Sequence, residues 1–237
     1  MAASFVAGKS GGVVSFDRLA RHYRWMECVL AGGKLQRCRT VFLEEARAAR
    51  SVLILGEGNG RFLEAFRRVN ASASIRCIDS SEQMLLRARR RLLKSGIPLH
   101  GITLTVADAL KCNLPPGAFD LVVTHFFLDC FPPEQLRPLI GAIANAAQAK
   151  AAWLLADFQI PARGMARYRA SAIHWLMYMY FRRVTRLAAD RLTDPGSHLQ
   201  AAGFVLNGRA VSDWGLLRSD LWRRGQATSR PSPPSGR

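Results

Sequence analysis

The sequence predicts an α/β fold in which helices cover both faces of a mostly parallel sheet, and three observations lead there. Short apolar runs alternate with amphipathic helical stretches between residues 51 and 158, the pattern of successive strand-helix units. The first run, Ser51-Val-Leu-Ile-Leu55, breaks directly into a turn with glycine at Gly56, Gly58 and Gly60. The second and third runs lead into acids, Asp79 and Asp108, at the sheet edge where open α/β folds bind their ligands.

Taken in order, residues 1–15 read as mobile, 16–224 as one domain and 225–237, rich in Pro, Ser and Arg, as a disordered tail. The domain opens with a helical cap, 16–49, made of helices at 16–30 and 34–49 on either side of Gly32-Gly33. The core, 51–224, begins with the first strand, and a helix over 61–69 follows its glycines. Those residues lack a Cβ, so the backbone can take positive φ and a ligand can approach it closely. A second strand, 74–79, feeds a helix over 82–94 capped by Ser80 and Ser81. The third strand spans 102–107 and the fourth opens on Phe119-Asp120 and runs to Asp129. A helix over 133–149 precedes the fifth strand, 151–158. A helix-rich segment, 165–191, then interrupts before two closing strands, 203–211 and 214–222, pair antiparallel at the edge.

The spacing of the glycines selects among ligands. A dinucleotide fingerprint, G-x-G-x-x-G, would need its third glycine where Arg61 stands; the chain has G-x-G-x-G instead. Asp79, at the end of the second strand, can accept both hydroxyls of a ribose or serve as a helix N-cap. Met84 falls one turn into the following helix, at the edge of the site or in the core. Asp108 and Ala109 follow the third strand, and Thr124 and His125 are polar residues on the fourth.

Together these residues resemble class I S-adenosylmethionine (SAM) dependent methyltransferases. The resemblance implies a Rossmann-like, seven-stranded sheet of order 3-2-1-4-5-7-6, and SAM as the cofactor. It places Gly56, Glu57, Gly58, Gly60, Asp79, Ser80, Met84, Asp108, Ala109, Thr124 and His125 against that cofactor. The opening Phe16-Asp-Arg-Leu-Ala-Arg-His-Tyr-Arg-Trp-Met26 and the passage Leu199-Gln-Ala-Ala-Gly-Phe204 are similar to the ubiquinone/menaquinone-biosynthesis type of small-molecule methyltransferase. Two departures stand out. Ile54 occupies the position, two before the first glycine, where that family carries an acid, and Glu57 lies inside the turn instead. Arg24 follows Tyr23 where the family has an acid, so the substrate is not carried over.

Methyl transfer from SAM is an in-line displacement that alignment alone can accelerate, and an enol or phenol acceptor adds the need for a proton acceptor. His125, at a strand end, is the expected acceptor; its other reading is a hydrogen-bonded polar group. Asp129 is expected to orient it or bind substrate, Asp157 ends the fifth strand, and His22 and Tyr23 come over the site from the first helix. Aromatics at 174–181 line an apolar substrate pocket or pack their own helix.

Composition sets the partners. With 34 Lys+Arg against 17 Asp+Glu the formal charge is +17, which attracts phosphate polyanions and anionic lipid surfaces. The arginines are spread over most helices, as in Arg87-Ala-Arg-Arg-Arg91, and no motif interleaves them with aromatics, so a solvated surface is favoured over a nucleic-acid site. A small-molecule substrate is the expected partner, with peripheral membrane contact left open. The rivals are an RNA or protein methyltransferase, and a non-catalytic SAM-binding subunit. No apolar run is long enough for a transmembrane helix and the N-terminus lacks a signal-peptide pattern. Cys28, Cys38, Cys77, Cys112 and Cys130 are scattered and odd in number, which points to the cytoplasm; neither they nor the five histidines suggest a metal site.

Overall fold

The structure, a computed structural model, describes residues 5–7, 32–161, 164–165, 167–173 and 193–225. Its centre is strand β2 (Ser51–Leu55), which can lie inside a parallel sheet because both of its faces are apolar. Leu53 and Leu55 enter one core and Val52 and Ile54 the other. Around it lie β3 (Ser74–Asp79), β4 (Ile102–Val106), β5 (Phe119–His125) and β6 (Ala147–Phe158). The strands β7 (Phe204–Ser212) and β8 (Leu217–Arg224) close the sheet at one edge, and β1 (Phe5–Ala7) closes it at the other.

The order is β1-β4-β3-β2-β5-β6-β8-β7. Setting β1 aside, this is the expected 3-2-1-4-5-7-6, with the last strand inserted between its two predecessors. Strands β2 to β6 pair in parallel, and β8 runs antiparallel to both β6 and β7. Among the described residues the sheet therefore has eight strands where seven were expected. The addition comes from the first fifteen residues, where Phe5 pairs in parallel register with Leu104 and Ala7 with Val106. Strand β4 would otherwise present a row of unpaired edge amides, and β1 satisfies them.

Helices α2 (Arg61–Val69) and α3 (Glu82–Lys94) cover one face, where Phe62, Leu63, Phe66, Leu85 and Leu92 pack on Val52, Ile54 and Val123. Helices α4 (Pro133–Ala146) and α5 (Gly196–Ala201) cover the other, packing Leu136, Ile140, Ile143 and Leu199 around Trp153, Phe204 and Trp222. Burying side chains of this size contributes roughly 1.5–3 kcal/mol each, so the two cores supply most of the drive to fold. A third, smaller cluster joins α1 (Gly32–Thr40) to the end of β6 and the start of β8 through Leu35, Cys38, Ala156, Phe158 and Leu217.

Several boundaries differ from expectation for local reasons. Helix α1 stops at Thr40 rather than near residue 49: the Thr40 hydroxyl bonds back to the Gln36 carbonyl at 3.0 Å, and the chain continues in short turns around a 3-10 helix at Glu44–Ala46. Helix α4 ends at Ala146 because Phe119 already pairs with Ala147, which starts β6 four residues early and places a bulge before Leu121. Strand β5 ends at His125, since Phe126 takes φ 52° and a 3-10 helix, Leu128–Cys130, follows. Trp214 lies outside β8, in a tight turn with Asp213 and Gly215 where all three residues have positive φ. The helix expected at 16–30, the aromatics at 174–181 and all but the first residue of the 225–237 tail lie outside the described residues.

Candidate functional site

The site forms where β2, β3 and β5 end together. Gly56, Gly58 and Gly60 have φ of 67°, 67° and 83°, so each needs the freedom that glycine alone has, for different ends. At Gly56 a Cβ would overlap the Phe127 ring; at Gly60 it would come within 2.7 Å of the Ala88 Cα on α3. At Gly58 it would meet nothing within 4 Å, so the turn's open side lies there. Arg91 of α3 fixes the turn from beneath, its Nε donating to the Asn59 carbonyl at 2.9 Å and its head pairing with Glu64 of α2.

Asp79 closes one side. One carboxylate oxygen accepts the Gly58 N–H at 3.0 Å and the other accepts the Ser81 N–H at 2.9 Å. Ser81, not Ser80, caps α3, its hydroxyl accepting the Met84 N–H at 3.3 Å. Met84 itself is buried, and Asp108 turns its carboxylate onto the Leu110 N–H. Ala109 packs against the core at the same edge.

Glu57 takes a structural post inside the turn. Its Oε1 accepts the N–H groups of both Phe62 and Leu63 at 3.0 Å, capping α2, whose N-cap Gly60 has no side chain to do so. Burial pushes its carboxyl up to about 7, against the opposing pull of the Leu63 N–H and of the Arg39 charge. Ile54, where an acid was sought, is buried in the core beneath α2.

Two expectations shift at β5. Thr124 is fully buried and its hydroxyl accepts the Trp153 indole N–H at 2.8 Å, so that group serves the core. His125 is only 8% exposed and stands edge-on to Phe62 at 4.6 Å, and its Nδ1 has no hydrogen-bond partner among the described residues. Burial, helped by the Arg39 charge, pulls its pKa down to about 3. A neutral imidazole that resists protonation so strongly is a poor proton acceptor at neutral pH.

Asp129 and Asp157 form the site's acidic side, joined by a hydrogen bond between their carboxyls. Burial raises Asp129 to about 6, and burial together with the Asp129 charge raises Asp157 well above the usual carboxylate range. Two buried carboxyls this close oppose each other's ionisation, which favours a proton on one of them. The Cys130 thiol donates to Asp129 at 3.6 Å. His22 and Tyr23 lie outside the described residues.

Residues 52–150, the span from β2 into β6, match a family model described as a methyltransferase domain. This part of the chain is thus similar to class I SAM-dependent methyltransferase domains. The cofactor that this family implies is SAM. The methyltransferase domain's open turn at Gly58, the carboxylate of Asp79 and the orphaned Nδ1 of His125 fit such a ligand.

Among solved structures, an O-methyltransferase family protein from Burkholderia thailandensis is similar over 90% of this chain and 64% of its own, at 15% identity and TM-score 0.70. The mitomycin 7-O-methyltransferase is similar over 89% and 61%, at 16% identity and TM-score 0.66. A SAM-dependent methyltransferase from Mesorhizobium loti is similar over 74% and 91%, at 22% identity and TM-score 0.55. The chain thus spans less than two thirds of the length of the first two. No curated protein matches it.

Sequence reasoning missed Gln36 and Phe127. Gln36 lies on α1 far from any motif, and only the packing of α1 against α2 brings it in: its side-chain amide donates to the Arg61 carbonyl at 3.1 Å. Phe127 lies in a stretch read as strand. Its role appears only once β5 is seen to end at His125.

Proposed function

We propose that the protein transfers a methyl group from SAM to a small apolar or aromatic acceptor. The observation that carries this reading is the glycine turn, open at Gly58 and bonded through its N–H to the Asp79 carboxylate. Two of the similar structures bear O-methyltransferase names, which favours an oxygen acceptor. The opening at 16–26 supports a relationship to the ubiquinone/menaquinone-biosynthesis type, and the scattered cysteines support a cytoplasmic location.

When bound, SAM supplies an electrophilic methyl carbon on a sulfonium. The chain's own part is then to hold the acceptor in line and to remove its proton. Asp79 orients the ribose, and the turn fixes the depth of the adenosine. The Asp129–Asp157 pair is the proton acceptor, because its first proton is released near neutrality while His125 stays neutral at far lower pH. Asp129→Asn is expected to lower turnover about 10²-fold with little change in SAM affinity. The wild-type rate should fall as pH drops through about 6, where the carboxylate that acts as base takes up its proton.

The charge of +17 supports a second reading, methylation of RNA. Incubation with radiolabelled SAM and a metabolite extract, with and without nuclease, separates the two. Label passing into the organic phase and insensitive to nuclease supports the small-molecule acceptor, and label lost on nuclease treatment supports RNA.

A further inference from the structure

We propose that the turn between β7 and β8, with Trp214 at its tip, docks on an anionic lipid surface. Docking is a property of this surface and does not depend on the methyl-transfer reading.

Tight hairpin turns with positive φ favour glycine, asparagine or aspartate. Here Asp213 and Gly215 fit that rule, but the residue between them is Trp214, at φ 58° and 77% exposed. A bulky side chain in the left-handed region is strained, and this one gains little burial in return. Asparagine would serve the fold better, so the ring points to a partner outside it. The turn also holds the ring in a fixed place. The Asp213 carboxylate accepts from Lys34 of α1 at 2.6 Å and from Arg169 at 3.2 Å, and the Arg169 guanidinium donates to the Asp213 carbonyl as well. A Cβ at Gly215 would come within 2.8 Å of the Pro161 ring, so the turn lies against the chain that leaves β6.

These ties gather other apolar side chains around Trp214. Ile160, 42% exposed, precedes Pro161. Residues 165 and 167–173 are helical, and Met165 and Tyr168, three apart on one face, are 83% and 76% exposed beside Arg169.

Cations border the patch. The side chains of Lys34 and Arg169 remain 49% and 42% exposed although both pair with Asp213, so two cations meet one carboxylate and the cluster stays positive. Arg37, one turn after Lys34, and Arg167, two residues before Arg169, are exposed as well. Aromatic and apolar tips bordered by Lys and Arg suit the headgroup layer of an anionic bilayer, where the rings enter the interface and the cations meet phosphates. A second copy fits less well, because a two-fold contact would bring these cations face to face in a chain of net charge +17. An RNA would use the cations and leave Met165 and Ile160 in water.

The patch lies at the end of the sheet that holds the candidate site. Strand β6 runs parallel to β5, with His125 opposite Ala156, so the chain leaves β6 at the same edge as the glycine turn. On the proposed function, an apolar acceptor dissolved in the bilayer then lies beside the end of the sheet that takes the cofactor.

The test is sedimentation of the full chain with vesicles of phosphatidylcholine alone, or with about one third phosphatidylglycerol, at about 100 mM salt. Wild-type protein should bind the anionic vesicles and bind phosphatidylcholine much more weakly. Trp214→Asn relieves the backbone strain, so its melting temperature should hold or rise, while its partition onto anionic vesicles falls about 10-fold. Tyr168→Ser, at an exposed position away from the turn, should weaken partition in the same direction. Absence of wild-type binding to the anionic vesicles overturns the proposal. Equal binding by wild type and both variants overturns it too, since charge alone would then account for adhesion. A dimer in solution that Trp214→Asn dissociates, without vesicle binding, would give the patch to a second copy and overturn it likewise.

Discussion

At the scale of single residues, the three glycines show how one motif divides its labour. Gly60→Ala drives a Cβ toward the Ala88 backbone and should destabilise the fold by about 2 kcal/mol or more, read as a lower melting temperature. Gly58→Ala has open space and incurs only the strain of a left-handed backbone, about 1–2 kcal/mol, but on the proposed function it should weaken SAM binding, because the side chain projects into the open side of the turn. Glu57 makes a pH-dependent contribution. Its folded pKa of about 7 lies above the ordinary 4.5, so the folded state keeps a proton that the unfolded chain releases, and stability falls as pH rises between those values. Glu57→Gln keeps an oxygen for the Phe62 and Leu63 amides and removes the titration. Chemical denaturation should show a flatter profile from pH 4.5 to 7, with a gain of roughly 1–2 kcal/mol at pH 8 after allowing for partial solvent screening.

At the scale of elements, the contact between β5 and β6 does more than continue the ladder. The Thr124 hydroxyl and the Trp153 indole meet diagonally across the two strands, both fully buried. Thr124→Val keeps the shape but leaves the indole N–H without a partner, a loss of about 1–3 kcal/mol. Trp153→Phe in that background should add less than it does alone, because the bond is already gone. Urea denaturation of the four proteins in this cycle checks the coupling. The closing hairpin is held in the same polar fashion: Arg209 of β7 grips the buried Asp220 of β8 with two bonds of 2.6 and 2.7 Å.

At the scale of the whole molecule, the excess of arginine is partly spent on internal order. Arg67, Arg91, Arg209, Arg218 and Arg224 each bond to carbonyls or acids of another segment. If the remaining charge is a solvated surface, RNA binding should be weak, indifferent to sequence and lost by about 200 mM salt in filter-binding assays. None of the described helices is long and apolar enough to cross a membrane.

The sequence by itself determined the alternation of strands and helices, the glycine turn and Asp79, because each follows from local chemistry: apolar runs buried on two faces, positive φ at fixed positions, an acid at a strand end; the strand order was what the family resemblance implied. Element lengths were legible wherever a cap or a break was local, as at α2 and α3. They were not where pairing decided, as at the α4–β6 junction, since Phe119 lies far from Ala147 in the chain. The character of the polar residues came only from tertiary structure. Nothing in the order of residues tells that Thr124 meets Trp153 or that His125 lies against Phe62. Nor does it tell that burial raises both Asp129 and Asp157 or that Gln36 of α1 reaches the start of α2. A pKa or a hydrogen bond is a property of surroundings, and these surroundings are assembled from segments that meet only when the sheet closes and α1 packs beside it.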